Sequence, residues 1–266
     1  MKNILVPIGI NESVVNTLQY AIDFAKHVDA EIYLVDIFNI PRFSASYVKV
    51  GNLYEKESRE HLKVAIKDVD TKGVKIHSTS LVSYKTFDSI KNFCDVYKID
   101  LIISSTKNNL SDTSIFLGEI TGCMVKDSTV PVLIIPSEAF YKPIKKVLIA
   151  IKSGKIKLDT TLIPLAKIKE KYDSVIDLIQ VKTPQMETKD LDLNTNLKEM
   201  VSKSTLTENA TVFQGVLEFL HEEDPDLICV IRRKRGFFKK LWEENVVKKI
   251  DFESKVPLLV LKGFFE

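Results

Sequence analysis

Short, almost continuous apolar runs punctuate the first half of the chain. They fall at residues 3–8 (NILVPI), 31–37 (EIYLVDI), 74–82, 100–104 (DLIIS) and 130–135 (VPVLII). Runs of this length without alternation fit parallel strands covered on both faces. Helical spacing appears between them. Leu18, Ala21, Ile22 and Ala25 form one stripe behind the cap candidates Asn11 and Ser13, and Phe87, Ile90, Cys94 and Tyr97 form another. Residues 54–69 read as a polar helix with a thin apolar stripe, and 118–128 as a further helix before the last strand. Five strands therefore alternate with four helices, the pattern of a doubly wound α/β unit.

The second half repeats the first. KKVLIAI (145–151) follows KNILVPI (2–8) by 143 positions. DLICV (226–230) follows DLIIS by 126, and VPLLVLK (256–262) follows VPVLIIP (130–136) by 126 again. The offset is constant from the fourth strand to the fifth and shrinks only between the first and the fourth. The remaining second-half elements are expected as strand 146–151, helix 157–171, strand 173–181 and helix 211–222. The polar stretch 183–209 is expected to hold a loop, a short helix and a short strand. An internal duplication follows, with domains 1–140 and 144–266 joined by a short link containing Pro143. Each is expected as a Rossmann-like, parallel five-stranded sheet of order 3-2-1-4-5.

The 266 residues suffice for two such units, and 45% are hydrophobic. The 38 basic residues nearly balance 36 acidic ones, which leaves no global field for nucleic acid. Cys94, Cys123 and Cys229 lie far apart in apolar segments and read as free buried thiols. The start MKNILVPIGINES lacks the pattern of a signal peptide, and no run reaches the roughly 18 apolar residues of a spanning helix. A cytoplasmic protein without membrane or nucleic-acid partners is expected. His27, His61, His77 and His221 show no metal-ligand spacing. With no nucleophile elbow and no P-loop, enzymatic chemistry is not expected.

In open parallel sheets ligands bind beyond the C-terminal strand ends, where strand order reverses. The loops after the first and fourth strands are therefore the candidates: GINES (9–13) and SSTKNNLSDTSIFLG (104–118), then KSGKI (152–156) and 231–244. In these positions both halves resemble the universal stress protein family, and the whole chain resembles a tandem member. In that family an Asp closes the first strand and contacts the nucleoside. After the fourth strand, Gly, two residues, Gly, nine residues, Gly and Ser or Thr hold the phosphates of ATP. Glycines allow close backbone approach, and a helix N-terminus offers amides to the anion.

The residues depart from that pattern while the first-half spacing survives. Gly9 stands at the Asp position, Ser105 and Asn108 at the first two glycine positions, and Gly118 keeps the third. Glu119 replaces the Ser or Thr and brings negative charge to the amides meant for phosphate. Ser105, Thr106 and Lys107 remain candidate anion contacts, against the alternative of a polar loop with a helix cap. In the second half Lys152 stands at the Asp position, Ile231 and Lys234 at the first two glycine positions, and Glu244 and Asn245 at the last two. Lys152, Arg232, Arg233, Lys234 and Arg235 are expected either to converge as an electropositive mouth or to form a solvated loop. Phe237, Phe238 and Trp242 follow and read as packing over the sheet end.

The resemblance implies a nonenzymatic stress-response regulator with degenerate nucleotide sites. No cofactor is required, and ATP or AMP is the ligand if the first half binds one. Alternatives are an ATP- or AMP-binding module using the first domain and a protein-interaction scaffold using 232–242, with an unknown protein partner. Strands 131–135 and 257–261 are expected to pair with each other, as fifth strands pair in family dimers. A further homo-oligomer is left open.

Overall fold

The protein is described from a computed structural model. It covers residues 1–8, 14–39, 47–83, 86–106, 115–156, 158–182, 192–208, 212–232, 247–248 and 254–263. The first half contains β1 (Asn3–Ile8), α1 (Val14–Val28), β2 (Glu31–Asn39), α2 (Tyr47–Lys67), β3 (Ile76–Ser83), α3 (Thr86–Val96), β4 (Leu101–Ser105), β5 (Ile115–Leu117), α4 (Glu119–Asp127) and β6 (Val132–Ile135). The second contains β7 (Lys146–Ile151), a 3-10 turn (Asp159–Leu162), α5 (Ile163–Tyr172), β8 (Val175–Lys182), α6 (Thr195–Met200), β9 (Lys203–Glu208), α7 (Val212–Glu223), β10 (Leu227–Arg232), β11 (Val247–Lys248) and β12 (Leu258–Lys262).

Ten strands form a single sheet in the order β3-β2-β1-β4-β6-β12-β10-β7-β8-β9. The pairing of the two fifth strands thus fuses two five-stranded halves into one mixed sheet. Pairing within each half is parallel, while β6 and β12 run antiparallel and fuse the halves, with Leu258 opposite Ile134 and Val260 opposite Val132. The expected contact of 131–135 with 257–261 is thus the middle of one mixed sheet. Both strands are apolar on both faces and would otherwise leave open edges. Pro131 and Pro257 precede the paired residues, where a missing N–H costs no ladder bond.

Each face of the sheet carries its own core. Leu18, Ala21 and Phe24 of α1, Leu62 of α2, and Leu165 and Ile168 of α5 cover one face. Ile90 and Phe93 of α3, Met124 and Val125 of α4, and Val216 of α7 cover the other. α2 begins earlier than its stripe suggested and runs through Gly51, a residue that costs about 1 kcal/mol in a helix interior relative to Ala. The stretch 192–208 supplies the short helix and strand expected there. Asn194 caps α6 by accepting from the Leu197 amide at 3.2 Å.

The duplication is visible in repeated contacts. Asp100 Oδ2 accepts from the Lys2 and Asn3 amides at 2.6 and 3.2 Å, and Asp226 Oδ2 from the Lys145 and Lys146 amides at 2.8 and 2.9 Å. In both halves the aspartate ahead of the fourth strand anchors the start of the first. Ser128 and Ser254 fold the chain before β6 and β12 through identical turns, each bonding the backbone two residues on. Asp29 and Asp173 end α1 and α5 in left-handed backbone, with φ of 58° and 53°. α1 and α5 meet across the halves, where His27 stacks on Tyr172.

Candidate functional site

The sheet sets β1 beside β4 and β7 beside β10, each pair parallel, so the loops that follow the two strands of a pair leave the sheet at the same edge. Gly9, Lys107 and Asn108 lie outside the described residues. Ser105 is half-buried at the end of β4, and its carbonyl accepts from Thr121 Oγ1 of α4 at 3.1 Å. Thr121 and Ser104 also share a hydroxyl hydrogen bond at 2.9 Å. Thr106 is 6% exposed, and its hydroxyl accepts from the Ser137 amide at 3.2 Å. Thr106 is therefore tied to the chain leaving β6. Gly118 precedes α4 with φ −72° and ψ 172°, extended backbone that any residue adopts, and supplies no side-chain cap. α4 thus opens toward the crevice without a side-chain cap at its N-cap position.

In the second half Lys152 is half-buried, and its carbonyl accepts from Gln180 Nε2 at 3.4 Å. Gly154 is buried against residues 192–193. A Cβ added to it would lie 2.2 Å from the Asp192 carbonyl oxygen and 2.7 Å from Leu193 Cα. The Gly154 carbonyl accepts from the Asn194 amide at 3.0 Å. Only glycine admits this approach, and it lays the segment 192–194 directly over the loop that follows β7.

Arg232 departs from the expected mouth. It is 4% exposed and points across the seam into the first half. Nη1 donates to the Val125 carbonyl at 2.8 Å and Nη2 to the Ser128 carbonyl at 2.7 Å. These carbonyls close the C-terminus of α4, where partial negative charge favours a cation. Burial lowers the guanidinium pKa, while Asp127 opposes that shift. Strand alternation contained the signal. Ile228, Val230 and Arg232 share one face, and the first two are core. Arg233, Lys234 and Arg235 lie outside the described residues.

One connection between the halves was not foreseen. β5, just before α4, pairs antiparallel with β11, with Leu117 opposite Val247 and Ile115 opposite Lys248. The segments that follow the two fourth strands are thus joined to each other. No spacing pattern marks strands of two or three residues.

Cys94 and Cys229 are free and buried. Burial, helped by Asp95, pushes the Cys94 thiol up to about 12, and burial raises that of Cys229 as well. Neither is poised as a thiolate nucleophile. Among the described residues no group of His, Cys, Asp and Glu is arranged to hold a metal, and no helix is long and apolar enough to cross a membrane.

Residues 1–136 match the model of the universal stress protein family. A universal stress protein of Methanocaldococcus jannaschii is 28% identical over 139 residues, covering 50% of this chain and 81% of that relative. The structure of a universal stress protein from Archaeoglobus fulgidus superposes with a TM-score of 0.73 at 18% identity, over 98% of both chains. A putative universal stress protein from Pseudomonas aeruginosa gives 0.60 at 15% identity, over 99% of this chain and 94% of that one. At these identities the two solved structures bear on the fold alone.

Proposed function

This chain belongs to the universal stress protein family, and we propose that it is a nonenzymatic cytoplasmic stress-response regulator that has given up nucleotide binding in the family's manner. Its repeats, residues 1–140 and 144–266, act as one body. The observation that carries this reading is the contact between Gly154 and Asp192. It favours a second-half crevice occupied by the chain's own backbone, beside the position where relatives carry the nucleoside-binding Asp and this chain carries Lys152. The burial of Arg232 in the seam supports the same reading. In the first half, Gly9 at the Asp position and Glu119 at the opening of α4 argue against phosphate.

Native mass spectrometry of freshly purified protein tests the reading. No co-purifying nucleotide is expected. Calorimetry with ATP and ADP at two temperatures should give dissociation constants weaker than about 1 mM, which corresponds to about −4 kcal/mol. One nucleotide retained per chain would reject the proposal.

One observation favours a second reading, an ATP- or AMP-binding module in the first half. α4 begins behind Gly118 without a side-chain cap, at the family spacing from Ser105. On that reading Gly118→Val abolishes the retained nucleotide. On the main reading it changes no ligand signal.

A further inference from the structure

We propose that the outer edge of β3 is a dimerisation surface, on which a second copy of this chain lays its own β3 antiparallel. The inference is independent of the nucleotide reading, because β3 carries none of the family's nucleotide positions.

β3 and β9 are the two ends of the ten-stranded sheet. Each pairs on one side only, so each presents a row of backbone donors and acceptors that a further strand would satisfy. The outward groups of β3 follow from one bond. The Lys75 carbonyl accepts from the Ile32 amide at 2.9 Å and so points toward β2. Backbone direction alternates along a strand, so Ile76, Ser78 and Ser80 turn their amides and carbonyls away from the sheet. Ser78 and Thr79 are exposed, so this stretch of the edge is open to solvent.

The opposite end of the sheet shows a guarded edge in the same fold. β3 (IHSTSLVS) holds no Asp, Glu, Lys, Arg or Pro, whereas β9 (KSTLTE) begins on Lys203 and ends on Glu208. Charge on an edge strand guards it against edge-to-edge pairing. The helices beside the two edges differ in the same sense. Left-handed Lys98 and Asp224 follow α3 and α7, and this match aligns Val96 with Glu222 and Tyr97 with Glu223. In the second half Glu222 is exposed, and Glu223 pairs with Lys203 at 2.7 Å and with Lys146. In the first half Tyr97 packs instead on Phe93 and Tyr33, with centroids 4.3 and 5.2 Å away. Tyr33 in turn stacks on His77 of β3 at 4.7 Å. Val96 is 71% exposed and Tyr97 44%. Carboxylates at one end of the sheet thus correspond to apolar and aromatic groups at the other.

The strand is complementary to itself, which selects a second copy as the occupant. A two-fold axis perpendicular to the sheet and centred on Thr79 keeps α2 and α3 of both copies on their own faces. Ser78 then lies opposite Ser80 of the second copy, and both turn their backbone groups outward, as a hydrogen-bonded antiparallel pair requires. Thr79 faces its own symmetry mate, and His77 faces Leu81. Hydroxyl pairs of this kind are favourable across a ladder, and no like charges stand opposed. Such a contact closes on itself as a dimer, whereas β3 against β9 of another copy would propagate without closing.

Sedimentation equilibrium of the full chain tests the surface. A reversible monomer–dimer equilibrium is expected, with no species beyond two chains. Thr79→Lys sets two ammonium groups face to face on the axis and should weaken the dissociation constant at least about tenfold. Ser78→Pro removes an amide that points away from the sheet, so it should fold, as circular dichroism would verify, and dimerise as poorly. Thr205→Lys, at the β9 register position that matches Thr79, should leave the equilibrium unchanged. Hydrogen exchange at the Ser78 and Ser80 amides should slow as concentration rises in the wild type and not in Thr79→Lys. A monomer at every concentration up to about 100 μM, an assembly that grows past two chains, or an unchanged dimer in both β3 variants overturns the proposal. Loss of the dimer in Thr205→Lys alone would assign the contact to β9 and likewise overturn it.

Discussion

His27 lies flat on Tyr172, with ring centroids 3.9 Å apart and planes 8° from parallel. The two residues belong to different halves, on α1 and α5. His27 Nε2 also donates to the Lys171 carbonyl at 3.0 Å, and the Tyr141 hydroxyl donates to that of Tyr172 at 3.2 Å. Tyr172 is 2% exposed and packs on Phe24 as well. Tyr172→Ala should therefore cost about 3–5 kcal/mol in urea unfolding. His27→Ala, at an exposed rim, should cost about 0.5–1.5 kcal/mol. A cost below about 1 kcal/mol for Tyr172→Ala would show that the helices do not bind the halves together.

Asp226 gives the stability a defined acid limb. Burial opposes its ionisation, but Lys142 and the Lys146 and Lys145 amides prevail and hold the carboxyl below the ordinary 3.8. The contribution is complete above that ordinary value and disappears as pH falls through the lower folded value. Thermal melts from pH 5 downward should show a shallower acid decline in Asp226→Asn than in the wild type. Parallel curves would exclude this aspartate as a source of the acid sensitivity.

Arg232 satisfies two carbonyls from within the seam, so its loss should be felt by both halves. Arg232→Ala should destabilise by roughly 1.5–3 kcal/mol or more, the scale of losing hydrogen bonds to a charged donor. Arg232→Lys, which keeps the charge but not the two-pronged geometry, should recover only part of this. Equal stability of Arg232→Ala and wild type in guanidinium titrations would contradict the role assigned here.

Gly154→Ala pits a single methyl group against the Asp192 carbonyl, so either the strap 192–194 or the loop after β7 must move. A loss of about 1–3 kcal/mol is expected, the range for overpacking. Hydrogen exchange should rise at the Asn194 amide, which bonds the Gly154 carbonyl. Unaltered exchange there would mean that the contact is not tight in solution.

The strands and their repeat were legible because buried parallel strands leave continuous apolar runs that survive duplication. DLIIS and DLICV became β4 and β10, and VPVLII and VPLLVL became the fused pair. The fusion of two sheets into one was half legible. The pairing followed from two apolar edge strands, but continuity of the whole sheet depends on register, which no composition encodes. Arg232 misled because charge next to Arg233, Lys234 and Arg235 reads as surface. Its alternation with Ile228 and Val230 was the better guide. The strap over Gly154 was not legible, because contacts between polar loops leave no periodic trace.

The central β6–β12 ladder also changes how the sheet depends on protein concentration. A sheet built from two separate chains comes apart on dilution. Here each fifth strand meets its partner at a fixed effective concentration, on the order of millimolar for a short tether. The body therefore forms at any expression level. Neither half needs to remain self-complementary, which leaves each free to diverge as far as Arg232 and Thr106 already have from their common position.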